Sequence, residues 1–432
     1  MMRDGDGGVR VGILGEVWNS LIAKVIAAIV APILAAAIYV LFRRVYRAFR
    51  ALHHAESALK AVAREQHDGL WTEGPGFWLK LPIRRPTNYG DLQGNSIPIL
   101  MIAATKGGVG KTSLAGSLAA HFALKWTQRR QESNADKPLR VLVIDQDFQG
   151  SFTTMTVDVN HRYIQPSKAN RLVSGELEKG GVQREAEPVT QGGMRDRLSI
   201  WTIPAYYDLA QAENRMLVEW LLPLSERGLV LRLLRLLGVR EGDPPRSLRD
   251  VRYLLAEALL DPLVRANFDL VIIDSPPRLT PSHIQAMCAS THLLVPTILD
   301  GLAGDAVARY LDQVATHKLG PPGNASRAVC PHLQPIGVVC TLLPPGNTDL
   351  TGRLNVLRGR IAAARLTPDI VPQDCFIRQR APYRDHAGER IAYAATSNNQ
   401  DHQALRDEVD RLGDWIASKL GAEPRGWRRR ET

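Results

Sequence analysis

The first break in the pattern of apolar and polar positions comes early. Val25 to Phe42 is a run of 18 residues with no charged or strongly polar side chain. As a helix rising about 1.5 Å per residue it reaches roughly 27 Å, close to the ~30 Å hydrocarbon thickness of a bilayer. Upstream, Arg3, Arg10 and Lys24 are balanced by Asp4, Asp6 and Glu16, whereas Arg43, Arg44, Arg47 and Arg50 follow the run at once. The positive-inside rule therefore places residues 1–24 outside, a transmembrane helix at 25–42 and the rest of the chain in the cytoplasm, a single-pass arrangement in the cytoplasmic membrane. The same arginines argue against a cleaved signal peptide. Six alanines and Pro32 within the run keep a second reading open, a helix buried in the protein or lying in the membrane interface.

Beyond the run, Val45, Leu52 and Leu59 recur every seven residues, with Ala48, Ala55 and Val62 between them. This predicts a juxtamembrane helix over 43–67 that either pairs two copies or packs on the main domain. Residues 68–97 turn to glycine and proline with Trp71, Phe77, Trp78 and Tyr89 interspersed, a linker whose aromatics dock on the domain that follows or sit at the membrane interface. From Pro98 the pattern becomes that of buried strands: 98–104, 141–145, 198–203, 270–274, 293–298 and 336–342, separated by helical stretches such as the one presenting Leu114, Leu118, Phe122 and Trp126 on one face. Strands alternating with helices predict an α/β fold with a doubly wound, mostly parallel sheet spanning 98–420. A polar, weakly patterned stretch near 153–197 and a second near 224–248, where a Leu/Arg-rich helix at Val230–Leu237 is followed by a proline-rich loop, read as insertions, and 421–432 as a basic tail.

Length permits one large domain with appendages, at about 100–200 residues per domain. The formal charge of +10 admits two acidic partners, nucleic acid and an anionic membrane surface, without choosing between them. Cys288, Cys330, Cys340 and Cys375 show no paired C-x-x-C spacing, so neither a zinc site nor a disulfide framework is indicated, and a reducing compartment fits.

The chemistry concentrates where strands end. A phosphate loop needs consecutive backbone N–H groups, glycines that let the backbone approach the anion, and a helix amino terminus behind them. Lys106-Gly107-Gly108-Val109-Gly110-Lys111-Thr112-Ser113 meets those needs directly after a predicted strand. Lys111 then reaches the β- and γ-phosphates and the Thr112 hydroxyl holds Mg²⁺. The standard pattern has glycine where Thr105 stands. Two more apolar strands end in acid, Val141–Asp145 leading to Asp147 and Leu270–Asp274 leading to Ser275-Pro276-Pro277.

At these residues the chain resembles the ParA/MinD family of deviant Walker A P-loop ATPases, whose loop carries an extra lysine before the paired glycines, here Lys106. The resemblance implies that Lys106 reaches the partner's phosphates in an ATP-bound homodimer, that Asp147 orients the attacking water, and that Asp145 and Asp274 serve the Mg²⁺ side. Lys106, Lys111 and Asp147 are thus the expected catalytic set, and Lys106 through Ser113 the expected ATP-binding set. Asp145-Gln146-Asp147-Phe148-Gln149-Gly150 has phenylalanine where many members have proline. Weaker likenesses at Ile203-Pro204-Ala205, Asp208-Leu209-Ala210, Leu293–Thr297, Gly337–Thr341 and Phe376-Ile377-Arg378 extend the resemblance over roughly residues 97–418.

The resulting expectation is a membrane-tethered, ATP-hydrolysing dimerisation switch that positions, partitions or assembles a DNA or protein cargo, with a protein activator of hydrolysis as a further partner. Arg378, Arg380, Arg384 and the tail Arg425, Arg428, Arg429 and Arg430, with Trp427, motivate non-specific DNA binding; solvated arginines on a tail are the commoner reading of such a run. Two alternatives come from other classes. A bacterial-type membrane-linked tyrosine kinase shares the loop but ends in clustered tyrosines, whereas the last tyrosine here is Tyr393. An ATP-sensing regulatory or defence component would not need the acids at 147 and 274.

Overall fold

The structure is a computed structural model. It describes residues 33, 36, 38–40, 42–43, 46, 78–79, 83–94, 97–128, 138–157, 167–189, 199–221, 249–300, 303–321, 323–344, 350–363, 370–385, 390–395 and 399–420. The chain divides into two units. One contains the described residues between Ile33 and Tyr46, and the other comprises Gly69–Trp220 and Arg235–Thr432.

In the first unit the described residues are helical, and Ile33, Ile38, Tyr39, Val40, Phe42 and Tyr46 are exposed. Among the described residues no helix is long and apolar enough to cross a membrane. The expected transmembrane helix at 25–42 lies outside them except for these positions and Ala36, as do residues 1–24, the heptads of 43–67 apart from Arg43 and Tyr46, the insertion at 224–248 and the tail at 421–432.

In the second unit the strands are β1 (Ile99–Ile102), β2 (Val141–Asp145), β3 (Glu187–Pro188), β4 (Ile200–Ile203), β5 (Leu270–Asp274), β6 (His292–Thr297), β7 (Gln334–Leu343) and β8 (Phe376–Arg378). They form an eight-stranded sheet in the order β3-β4-β2-β5-β1-β6-β7-β8. Every pairing is parallel except that of β3 with β4. The six apolar runs expected from the sequence are β1, β2, β4, β5, β6 and β7. At two residues β3 is too short to show an alternation, which is why the stretch around it reads as polar insertion.

Parallel strands buried on both faces divide their side chains between two cores. Ile99, Met101, Leu142, Ile144, Val271 and Ile273 face one, while Leu100, Ile102, Val141, Val143, Leu270 and Ile272 face the other. The second core is closed by α1 (Lys111–His121), which continues as a π-helical turn at Phe122–Trp126, and by the carboxyl-terminal helix Gln400–Lys419, whose Leu405, Val409, Leu412 and Ile416 are fully buried. His121 of α1 binds Asp410 at 2.8 Å, and the Tyr393 hydroxyl donates to the same carboxylate at 2.6 Å.

The first core takes in part of the expected linker. Trp78, Leu79, Tyr89 and Leu92 are buried in it, so docking on the main domain is what these residues do. The Tyr89 hydroxyl donates to the Cys288 carbonyl at 2.7 Å. Arg252, fully buried, forms a two-point pair with Asp250 at 2.8 and 2.6 Å and donates to the Trp78 carbonyl; the Arg84 amide donates to the same aspartate at 3.1 Å. A guanidinium survives burial only when its donors are matched in this way.

Between β2 and β4 the chain forms α2 (Ser151–Thr156), α3 (Lys168–Val173) and α4 (Gly181–Glu185). Ser167 caps α3 by accepting from the Asn170 amide. Asp208, at the start of α5 (Asp208–Leu221), accepts from the Ser167 amide at 2.6 Å and the Asn170 side chain at 2.9 Å, so much of the expected insertion is fastened to the core. After β4 and α5 come α6 (Leu254–Leu259), α7 (Pro262–Asn267), α8 (Pro281–Ala289), α9 (Ala303–Leu319), α10 (Leu350–Ala363), α11 (Ala381–Asp385) and α12, the carboxyl-terminal helix (Gln400–Lys419) already described.

Candidate functional site

In an open α/β sheet ligands bind beyond the carboxyl ends of the strands, where the strand order reverses. Here that point lies at β1, because the chain runs from β1 outwards to β2 and β4, returns through β5, and continues on the far side with β6 to β8. The loop from Ala103 to Gly110 leaves β1 at this place and enters α1. Gly108 and Gly110 have φ of 71° and 74°, the left-handed region that glycine occupies at little cost. A Cβ on Gly107 or Gly108 would meet nothing within 4 Å, so both face open space as a phosphate cradle requires. Gly110 is hemmed in, since a Cβ there would lie 3.3 Å from the Tyr383 hydroxyl.

The loop is anchored by residues that its motif does not reveal. The Thr341 hydroxyl, on β7, is 2.7 Å from the Val109 carbonyl and 3.1 Å from the Thr297 carbonyl on β6. Tyr383 on α11 donates to the Gly110 carbonyl at 3.3 Å. Burial raises this phenol above its ordinary pKa, against the pull of Ser113, so it stays a neutral donor. Leu342 stands next to the same glycine with φ of 53°, a left-handed residue that is not glycine, where the β7–β8 register shifts. Such a conformation costs about 1–2 kcal/mol and persists where its surroundings impose it.

Lys111 is buried, and burial lowers its pKa while Asp274 and Asp147 draw it back up. The loop lysine is therefore collected with two of the expected acids. Lys106 is not aimed into this cluster: its ammonium pairs with Asp300, past the end of β6, and both side chains are substantially exposed.

Asp145 and Asp274 end neighbouring strands in register. Asp145 is tied by three donors. Its Oδ1 accepts from the Asp147 amide at 3.1 Å, and its Oδ2 accepts from the Thr153 amide at 2.9 Å and the Thr153 hydroxyl at 2.8 Å. Burial and the adjacent Asp274 hold its carboxyl well above the usual carboxylate range, opposed by the two Thr153 donors. Asp274 is equally buried, yet neither carboxylate oxygen has a hydrogen-bond partner. Burial pushes it up to about 7, with Thr112 and Lys111 pulling the other way.

Asp147 lies at the surface of this cluster, about nine per cent exposed, with its Oδ1 accepting from the Gln149 amide at 3.0 Å. The turn closes at Gly150, whose φ is 59° and where a Cβ would stand 2.6 Å from the Ala205 carbonyl. Between the two acids, Gln146 is buried with both atoms of its side-chain amide unpartnered. Its place inside the acidic motif was the only sequence signal for it.

A buried carboxylate and a buried amide without partners cost free energy unless something else satisfies them. They border a glycine cradle at a helix amino terminus, beside a buried ammonium. A polyphosphate with a hard, oxygen-seeking cation fits this donor set: loop amides and Lys111 for the anion, the Thr112 hydroxyl and Asp274 for Mg²⁺, which takes few protein ligands. Asp145, the other acid expected on the metal side, takes three donors from within the turn and so ties Thr153 and Asp147 to the strand end.

The carboxyl-terminal arginines are partly committed. Arg380 binds Glu408 at 2.8 Å and Asp401 at 3.4 Å, and Arg378 also reaches Glu408 at 3.4 Å. The side chain of Arg384 and the tail arginines lie outside the description.

No protein-family model matches the chain, and no curated protein matches it. Among solved structures, the chain is similar to the McdA–ATP complex of Cyanothece (18% identity, covering 76% of this chain and 98% of that one, TM-score 0.47). It is similar as well to a plasmid partition protein from Borrelia burgdorferi bound to AMPPNP (16% identity, 75% and 100%, TM-score 0.47). A third likeness is to cobyrinic acid a,c-diamide synthase from Mycobacterium smegmatis with bound ADP and magnesium (23% identity, 61% and 82%, TM-score 0.41).

Proposed function

We propose that this chain is an ATP-binding, ATP-hydrolysing dimerisation switch of the ParA/MinD type, tethered to the cytoplasmic membrane through Val25–Phe42, that positions, partitions or assembles a DNA or protein cargo. The observation that carries the reading is the convergence of a glycine cradle, a buried Lys111 and an unpartnered Asp274 at the topological switch point.

Phosphoryl transfer asks mainly for positioning and charge stabilisation. Loop amides and the α1 terminus hold the β- and γ-phosphates, and Lys111 neutralises the charge between them. Thr112 and Asp274 would hold Mg²⁺, which supplies charge neutralisation at the transferring phosphate. Asp147, at the rim, orients the attacking water. Lys106 exchanges Asp300 for the partner's phosphates when two chains close on ATP, and hydrolysis reverses the closure, so the output is a change in binding surface. The exposed apolar side chains at 33, 38, 40 and 42 fit a membrane-facing helix, and the basic charge of the chain fits DNA or anionic lipid as its acidic partner.

The test compares the full chain with Lys111→Ala, Asp147→Ala and Lys106→Ala. Lys111→Ala loses nucleotide binding. Asp147→Ala binds ATP and dimerises but hydrolyses roughly a hundredfold more slowly, the lower range for a positioned acid–base group. Lys106→Ala binds ATP and stays monomeric by light scattering. ATP binding by Lys111→Ala at wild-type affinity would sink the reading. Duplex DNA binding that needs ATP and falls with salt would select DNA as the acidic partner; its absence from a chain that still dimerises would point to lipid or protein.

A further inference from the structure

The loop that leaves Asp274 is gripped from behind by a buried imidazole. His283, in the first turn of α8, is fully buried, with Nδ1 3.0 Å from the Pro276 carbonyl and 3.0 Å from the Ser275 hydroxyl. Its Nε2 lies 3.0 Å from the hydroxyl of Tyr310 on α9, itself 1% exposed. A carbonyl only accepts, so Nδ1 must carry the proton that faces Pro276. A buried ring without an acidic partner is neutral, and burial does push His283 down to about 4. Nε2 is then an acceptor, and the Tyr310 O–H is its donor.

The helix carrying this ring is itself fixed. Thr280 caps it, the Ser282 amide donates to the buried Glu213 of α5 at 2.9 Å, and the Gln285 side chain donates to the Val173 carbonyl of α3 at 2.9 Å. Asp274 is held along its backbone, its carbonyl accepting from the Gln146 amide at 3.0 Å and the next amide donating to Ile102 of β1 at 3.2 Å. No hydrogen bond of ordinary length fixes its side chain, on which only the nearby Thr112 hydroxyl and the Lys111 charge are seen to draw. With that backbone pinned, the neighbouring stretch still to be fixed is Ser275-Pro276, whose hydroxyl and carbonyl both face the imidazole.

We infer that His283 is a positioning residue for the metal side of the nucleotide site: as the Nδ1–H tautomer, set by Tyr310, it holds Ser275-Pro276 so that the free carboxylate of Asp274 is presented to a divalent cation. This rests on the nucleotide reading above. Outer partners of this kind are worth roughly 10–100-fold in metal affinity.

Asparagine and glutamine separate the two ring nitrogens. The Asn amide nitrogen falls near the place of Nδ1 and keeps a donor for Pro276, whereas the Gln amide reaches the place of Nε2 and leaves Pro276 without one. The experiment uses the full chain, titrating Mg²⁺ against ATP binding, with ATP binding in EDTA and the melting temperature measured beside it. For His283→Gln we expect the Mg²⁺ half-saturation point to rise roughly tenfold or more, with ATP binding in EDTA unchanged. His283→Asn should stay within about threefold of wild type and Tyr310→Phe should fall between, since the backbone contact outranks the tautomer-setting one. Nitrogen NMR of the wild-type side chain should show the Nδ1–H tautomer, a readout that needs neither variant to fold.

An Nε2–H tautomer, an unmoved Mg²⁺ midpoint in a folded His283→Gln, or equal losses in Gln and Asn variants would each overturn the inference. Wild-type protein that binds no nucleotide, with or without Mg²⁺, would overturn the nucleotide reading and this inference with it; wild-type binding beside an unmoved His283→Gln removes the inference alone.

Discussion

Asp145 and Asp274 end adjacent parallel strands, in register, each after four apolar residues, and each is fully buried. One carboxylate receives three donors from its own chain and the other receives none. The difference lies in what comes next in the chain. After Asp145 the backbone turns tightly through Gly150 into α2, which brings the Thr153 amide and hydroxyl back over the strand end. After Asp274 comes Ser275, whose amide is spent on Ile102 of β1, then two prolines, which have no N–H to offer, and the chain leaves towards α8. A buried acid tied by its own loop builds structure; one without such ties is open to a ligand.

This comparison can be broken in order of effect. Asp274→Asn should raise the Mg²⁺ concentration needed for nucleotide binding by roughly 10–100-fold, while the nucleotide-free protein melts no lower than wild type, because a costly buried charge has gone. Asp145→Asn should do the reverse. Its one oxygen can keep the two Thr153 donors, but its NH2 then faces the Asp147 amide, and this should cost about 1–3 kcal/mol of stability in a denaturant titration, the penalty for unsatisfied buried groups, with little change in the Mg²⁺ midpoint. If both variants shifted the Mg²⁺ midpoint equally, the two acids would share one role. Thr153→Val removes a hydroxyl that donates to Asp145 and accepts from the Ala205 amide at 2.9 Å, and should cost about 1–2 kcal/mol.

A further effect is spread over acid pH. His292, held near 4 by burial, and His283 bind fewer protons folded than unfolded between their folded values and the ordinary 6.5. Their stabilisation is whole above 6.5 and is lost as pH falls towards 4. Asp274, held near 7, binds more protons folded than unfolded between 3.8 and 7, so its contribution grows over the same fall in pH and partly offsets theirs. Asp274→Asn should therefore lose stability more steeply than wild type between pH 6.5 and 4, by at most about 1.4 kcal/mol per pH unit. Parallel slopes would mean that Asp274 titrates at an ordinary value.

The sheet was legible because parallel strands bury both faces and so stand out as unbroken apolar runs; the six runs read from 98 onwards are the six central members of the sheet. The phosphate loop was legible for another reason. Its work is done by backbone and glycines, which leave a spacing that side chains cannot disguise. What the sequence hid depends on pairing across the fold. That Asp145 and Asp274 differ turns on Thr153, eight residues further on. The anchors Thr341 and Tyr383 come from segments more than 200 residues away, and Arg378 and Arg380 read as free charge because Glu408 sits on a different helix. Tyr89 and Trp78 read as linker aromatics because their partners, the Cys288 carbonyl that accepts from Tyr89 and the Arg252 guanidinium that donates to the Trp78 carbonyl, are similarly remote.

The pair between Lys106 and Asp300 gives the isolated subunit a way to be at rest. Ion pairs this exposed contribute about 0–1 kcal/mol, so the lysine is parked and not locked. On the proposed reading, its internal partner would be too weak to hold it against the concentrated charge of a nucleotide tail on a second copy, yet sufficient to keep the side chain occupied when no such copy is near. A subunit of this kind needs no separate release step before it pairs. Under that proposal its assembly would be governed by local crowding and nucleotide supply, and a gathering of subunits on one surface would tip it.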